Sequence, residues 1–182
     1  MAVSDPYVFG LARSVAHVFS KLPCDRLNLI EGIGVEGDAH AGATVQHLSR
    51  MKKYPAEPNL RQVHLIHDEL LDELAEHGYV LAPGALGENV TTRGIDLLGL
   101  ATDTRLHIGE AVIRVTGVRN PCRQIDAFMP GLLKHMVEKR ADGSLNRKCG
   151  VMAVVERGGE IAVGATIRID PPAGPHRPLE PV

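Results

Sequence analysis

TRLHIGEAVIRVT, residues 104–116, is the stretch whose reading decides the fold. Thr104 to Ile108 and Ala111 to Thr116 are two alternating runs with only Gly109 and Glu110 between them, the pattern of a β-hairpin. Outward from this hairpin the chain keeps returning to short strands. ENVTT at 88–92 follows a Gly-Ala-Leu-Gly bend, and Val151–Glu156 with Glu160–Ile169 read as a second hairpin around Gly158-Gly159. Gly10–Ser20 reads as an opening strand, and RQVHLI at 61–66 as a strand running into a helix from about Asp68. In that helix Leu70, Leu71 and Leu74 form the apolar stripe, Asp68 and Glu69 suit the N-terminus, and Gly78 supplies the stop. A second helix is expected over Pro130–Arg140. Many short strands, tight turns and two helices predict a mainly β protein, a closed β-barrel with a few peripheral α-helices. One domain is expected over residues 1–170. Ile30–Gln46 is glycine-dense loop, Met51–Leu60 a mobile surface loop, and residues 171–182, with five prolines, a frayed tail.

The chain has 182 residues, 44% of them hydrophobic and 23% charged, the balance of a soluble globule rather than a disordered chain. A formal charge of −2 gives no bulk attraction for nucleic acid or anionic membrane, so any anion site must come from local clustering. Aromatic residues are 3% of the chain and tryptophan is absent, which excludes a stacking platform for single-stranded nucleic acid. No segment has the roughly 18 apolar residues of a membrane helix. Three cysteines and no secretory pattern in Met1–Phe9 predict free thiols in the cytoplasm.

Chemistry is signalled most clearly by Val118-Arg119-Asn120-Pro121-Cys122-Arg123-Gln124. A thiol is a weak nucleophile and a poor metal ligand until deprotonated, and neighbouring cations favour the thiolate. A free cysteine is often just a small buried hydrophobe. Arg119 and Arg123 resist unpaired burial, however, which points this segment at a polar cleft. Cys149, beside Lys148, is second choice, and whether it pairs with Cys122 is open. Cys24 reads as structural.

Gly34-Val35-Glu36-Gly37-Asp38-Ala39-His40 can bring backbone N–H groups to an anion, with Asp38 and His40 adding a carboxylate and an imidazole; a plain turn fits as well. A zinc site from Asp38, His40 and His47 matches no closed ligand pattern. His64 and His67 face opposite sides of a strand. Gln46-His47-Leu48-Ser49-Arg50 can grip a phosphate or a polar heterocycle. Glu88 and Asn89, if buried, need partners.

Taken in order, GVEGDAHAG (34–42), QHLSR (46–50), RQVHLI (61–66), PGALGENVTT (83–92), VTGVRNPCRQ (115–124) and KCGVMAVVERGGEIAVGATI (148–167) resemble the MOSC family, named for the molybdenum cofactor sulfurase C-terminal domain. The resemblance implies a barrel of the pyruvate-kinase-barrel type and a link to the molybdenum cofactor, a pterin dithiolene carrying a phosphate. Cys122 matches the family cysteine, which ligates molybdenum in reducing members and is thought to carry persulfide sulfur in others. The chain looks most like small stand-alone bacterial members, including reductases of N-hydroxylated bases, but it has a proline-rich tail where those carry a helical extension. On this reading Cys122 is the metal ligand, and Arg50, Arg119, Arg123 and Lys148 are candidate partners of the phosphate and the thiolate. Gly34 and Gly37 would line the pterin, Asp38 and His40 orient it or relay protons, and Glu88 and Asn89 bond the heterocycle. The partners implied are a small-molecule substrate and an electron-donor protein or a sulfur acceptor. A persulfide carrier without reductase activity is the alternative, and a His/Asp metal-dependent hydrolase a distant one.

Overall fold

A computed structural model describes residues 5–182; Met1–Ser4, part of the stretch read for a leader, lie outside the described residues. The strands are β1 (Tyr7–Arg13), β2 (Leu22–Cys24), β3 (Arg26–Ile30), β4 (Gly34–Val35), β5 (Val63–His67), β6 (Val90–Arg93), β7 (Arg105–Ile108), β8 (Ala111–Val118), β9 (Val137–Lys139), β10 (Leu145–Arg147), β11 (Val151–Arg157), β12 (Gly159–Ala162) and β13 (Ile167–Asp170). Among the described residues three short helices, α1 (Leu48–Met51), α2 (Asp68–Glu76) and α3 (Gln124–Phe128), complete a mainly β fold, with 3-10 turns at Leu97–Gly99 and Leu133–His135.

The 104–116 stretch forms the expected hairpin: β7 and β8 pair antiparallel, Leu106 opposite Ile113 and Ile108 opposite Ala111, around Gly109 at φ +57°. β8 sits centrally in an eight-stranded sheet of order β13-β7-β8-β11-β5-β6-β1-β2. Its Ile113, Val115 and Val118 belong to the main core, together with Val63, Leu65, Val151 and Val155. The α2 prediction also holds. Its Leu70, Leu71 and Leu74 are buried, and the helix provides the crossover between the parallel pair β5 and β6.

The closed barrel does not form. The sheet is open, with β13 and β2 at its edges; the Tyr7–Thr166 bridge and the hydrogen bonds Ile167 N–H to Pro6 O (2.7 Å), Val8 N–H to Ala165 O (2.9 Å) and Gly164 N–H to Val8 O (2.8 Å) tie β1 to the start of β13. A three-stranded sheet, β12-β3-β4, packs against β1, β8 and β11, and its Leu27, Leu29, Val35 and Ile161 join the main core.

The second expected hairpin is also corrected. β11 does not turn back on β12, which pairs with β3, Glu160 opposite Asn28; β13 pairs with β7. Gly158 lies against the Leu29 carbonyl, where a Cβ would come within 2.8 Å, so the chain can switch sheets at this point. The expected helix at 130–140 is instead a 3-10 turn followed by the β9–β10 hairpin. Gly131 at φ +81° breaks the run, while Leu132 and Met136 still reach the cluster around α2, so the apolar spacing is satisfied without a helix. β1 starts earlier than expected and stops at Arg13, because the Ser14 N–H bonds the Asp38 carboxylate (3.2 Å) rather than a strand.

The proline-rich segment, read as a frayed tail, returns to the sheet. Val118 N–H donates to Glu180 O (2.9 Å), Val182 N–H to Val118 O (3.3 Å) and Thr102 N–H to Arg177 O (2.9 Å). Gly117, without a side chain, leaves room for the Glu180 carbonyl to approach.

Candidate functional site

β8 and β11 carry the site because their ends are tied together: Arg119 N–H donates to Gly150 O (3.0 Å) immediately beyond the strand pair. The chain then turns through Pro121 into α3, leaving Cys122 half-buried, its Sγ donating to Gln124 Oε1 (3.5 Å). The Arg119 guanidinium is aimed elsewhere. Its Nη1 donates to Leu86 O (2.7 Å) and lies 3.3 Å from His64 Nδ1. His64 Nε2 bonds Cys149 O at 2.7 Å; a carbonyl can only accept, so Nε2 carries the proton and Nδ1 accepts from Arg119. Burial and the adjacent Arg119 charge hold His64 far below its ordinary value, so it is neutral. Cys149 beside it is buried, and burial pushes its thiol up to about 12.

Asp38 is the hub of a second network. Its carboxylate accepts from Lys21 Nζ (2.8 Å), Asn89 Nδ2 (3.0 Å), Ser14 N–H (3.2 Å) and His40 N–H (2.9 Å), with His40 Nδ1 at 3.2 Å. Burial works to raise its pKa, but the hydrogen bonds of His40 and Lys21 and the lysine charge outweigh it and hold the carboxyl well below the usual range. Burial likewise pulls Lys21 down, against the opposing effect of Asp38.

Above this network lies a cleft of about 280 Å³ lined by Lys21, His40, Arg119 and Gln124 together with His17 and His47. The His17 and His40 rings are 5.1 Å apart, centroid to centroid, and those of His40 and His47 4.9 Å. The floor opens into a small recess formed by His64, Asn89 and Met152. His47 and Arg61 lead on into a neighbouring pocket of about 310 Å³ with Arg50, Asn59 and Glu57. Among the described residues, no Asp or Glu side chain lines the cleft or the recess. Burial, followed by His40, Arg61, Arg119 and His17, pushes His47 down to about 3. Arg61 is drawn down to about 10 by burial and the nearby charges of Arg50 and Arg119.

Of the residues singled out in the sequence, Asp38, His40, Asn89 and Arg119 converge on this cleft, Cys122 stands at its rim through Gln124, and Arg50 lines the adjoining pocket. Arg50 Nη2 pairs with Glu57 at 3.1 Å, while its Nε is buried with no partner. Glu88 points away from the cleft. Fully buried, it accepts from Gly84 N–H (2.6 Å), Leu86 N–H (3.1 Å) and Thr91 Oγ1 (3.1 Å), and so pins the bend whose Gly87 forms the cleft wall. Lys148 is engaged with Glu73 (2.7 Å) and Glu138 (3.5 Å), and Arg123 is exposed. Gly34 belongs to the β3–β4 pairing and Gly37 is exposed beside Arg13; neither lines the cleft.

His17, Lys21, Arg61 and His64 were not singled out as site residues by sequence reasoning. Their roles come from contacts 17 to 121 residues away along the chain, as in Lys21–Asp38, His64–Cys149 and Arg61–Val182, and no local pattern marks them. Asp38, His40 and His47 do come together, but among the described residues no group of three or more His, Cys, Asp or Glu is placed to hold a metal ion. No described helix is long and apolar enough to cross a membrane.

Residues 38–168 match the MOSC domain. The fold resembles the crystal structure of the YuaD protein from Bacillus subtilis, with TM-score 0.72 and 25% identity over 91% of this chain and 96% of that one. It also resembles YiiM from Escherichia coli, with TM-score 0.65 and 19% identity over 96% of this chain and 74% of that one. YiiM from Geobacillus stearothermophilus gives 0.59 and 20% over 92% and 73%. No curated protein matches the sequence. The match covers well over half of the chain and includes the cleft residues from Asp38 to Met152 together with Cys122: the protein belongs to the MOSC domain family.

Proposed function

We propose that the protein binds the molybdenum cofactor along this cleft and reduces N-hydroxylated small molecules, with Cys122 as thiolate ligand. The observation that supports the proposal is a carboxylate-free cleft with a half-buried thiol at its rim, continuing into a pocket where Arg61 stands beside Arg50, whose Nη2 pairs with Glu57 while its buried Nε has no partner. The residues fit the group: a soft sulfur donor suits molybdenum, and paired guanidiniums suit a phosphate. Cys122 would hold the metal, and Arg50 and Arg61 the phosphate. When bound, the cofactor supplies two electrons from an external donor, balanced as R–NH–OH + 2e⁻ + 2H⁺ giving R–NH2 and water.

The chain's own residues do the rest. His40, hydrogen-bonded to Asp38, is the cleft-facing group best placed to hold a transferable proton. Arg119, kept in place by Leu86 O and neutral His64, keeps positive charge on the floor. Neutral His47 adds a hydrogen-bonding ring without further cationic repulsion.

Expression in a host that makes molybdopterin, followed by metal analysis and assay of an amidoxime with a dye donor, tests the proposal. One molybdenum per chain, lost in Cys122→Ala, with two-electron reduction to the amidine, is expected. Metal-free protein bearing cyanide-labile sulfur on Cys122 would overturn it in favour of persulfide carriage.

A further inference from the structure

A second cleft, about 250 Å³, lies between the β9–β10 hairpin, the Leu97–Gly99 turn and the returning tail. It shares no lining residue with the cleft beside Cys122. Arg140, Arg147 and His176 face it, and among the described residues no carboxylate does. The Arg140 guanidinium makes one neutral hydrogen bond, Nη2 to Asn146 Oδ1 at 3.2 Å. Arg147 is half-buried, and its guanidinium has no hydrogen-bond or ion-pair partner among the described residues. Arg26, Arg50, Arg93, Arg105, Arg114 and Arg177, by contrast, each pair with a carboxylate. Two guanidiniums left facing one concave space form an anion site, since each fork matches a pair of phosphate oxygens.

Other lining groups narrow the ligand. His176 Nε2 donates to Gly99 O (3.1 Å), and Asn146 Oδ1 is occupied by Arg140, which leaves the Asn146 amide N–H2 as a further donor. Leu98, Val118, Leu145 and Leu179 supply apolar wall beside these donors. Inorganic phosphate would leave that wall in contact with water; an ester with a flat apolar group would cover it. The volume suits one ring and one phosphate, not a polymer. The tail wall is fastened by Thr102 N–H to Arg177 O and by the Arg177–Asp103 pair at 2.5 Å, so the cleft is a built part of the fold.

We propose that this cleft binds a small organic phosphate monoester through Arg140 and Arg147, at a site separate from the Cys122 cleft. Calorimetric titration of the full chain with phenyl phosphate, inorganic phosphate and phenol tests it. Phenyl phosphate should bind one per chain, inorganic phosphate at least several-fold more weakly, and phenol not at all. The double variant Arg140→Gln/Arg147→Gln should weaken phenyl phosphate by about tenfold or more, the loss expected for charge-assisted hydrogen bonds. Cys122→Ala and Arg61→Gln should bind as wild type does. Neither Arg140 nor Arg147 joins an ion pair, so the double variant should melt with the wild type. Unchanged affinity in the double variant, loss in Arg61→Gln, inorganic phosphate binding as tightly as the ester, or no saturable binding in wild type would each overturn the proposal.

Discussion

Lys21 Nζ lies 2.8 Å from Asp38 Oδ2, with the two side chains 3% and 1% exposed, directly beneath the imidazoles of the cleft. The pair joins the loop after β1 to the glycine-rich segment after β4, and Asn89 extends it to the start of β6. Three segments distant in sequence thus hang on one buried ion pair.

Removing one member of that pair should be far worse than removing both. Lys21→Met leaves the Asp38 charge buried without its cation and should cost about 3–5 kcal/mol in urea unfolding. Lys21→Met/Asp38→Asn should recover much of that loss, since the amide removes the unpaired buried charge while its Oδ1 can still accept hydrogen bonds from the segments that Asp38 joins. A double variant no more stable than Lys21→Met would show that the other hydrogen bonds of Asp38 matter more than its charge.

Stability should fall with acid in two steps. His47 is depressed to about 3 in the fold, so between its unfolded value near 6.5 and about 3 the unfolded chain takes up a proton that the native state refuses. Native stability therefore drops as pH falls through this window, and His64 acts in the same direction. Asp38, held below the normal carboxylate range, stabilises the fold above about pH 4 and loses that contribution as pH falls further. From pH 7 to 5, His47→Gln should lose about 2 kcal/mol less than wild type in chemical denaturation. Parallel losses in the two proteins would mean that His47 does not carry the effect.

The thiols should differ sharply in reactivity. Cys149 is buried and pushed up to about 12, so iodoacetamide at pH 8 should leave it unmodified in the folded chain and label it in denaturant. Cys122, at the cleft rim, should be labelled in the native state. Mass spectrometry of tryptic peptides gives the ratio, and native labelling of Cys149 would contradict its burial.

Two glycines at nearly the same φ should respond very differently to alanine. Gly143 (φ +86°) has open space around it, so Gly143→Ala should cost only the left-handed penalty of about 1–2 kcal/mol. Gly150 (φ +80°) lies against Leu65 O and the Ile66 side chain, where a Cβ has no room. Gly150→Ala should cost several kcal/mol more, because β5 must move away from β11. Equal melting temperatures for the two variants would contradict this packing.

The elements legible in the sequence are those whose stabilisation is local. The β7–β8 hairpin needs only its alternation and Gly109, and α2 only its leucine stripe and acidic first turn. Elements that depend on a distant partner were misread. Gly158 sends β12 to β3 because the Leu29 carbonyl lies beside it, and Gly131 turns an apparent helix into a compact turn while Leu132 and Met136 stay buried. Sheet closure was overstated for the same reason, since alternation specifies strands but not which edges meet.

The site divides similarly. The sequence by itself determined the chemistry available: a cysteine after a strand, an Asp-x-His in a glycine-rich loop, and a family likeness joining them. Tertiary structure decided how that chemistry is arranged. It turned Arg119 away from Cys122 toward neutral His64, used Glu88 to brace a bend, tied Lys148 to Glu73, and recruited His17, Lys21 and Arg61. The physical reason is that a side chain's charge and direction depend on what it is buried against, and those neighbours come from anywhere in the chain.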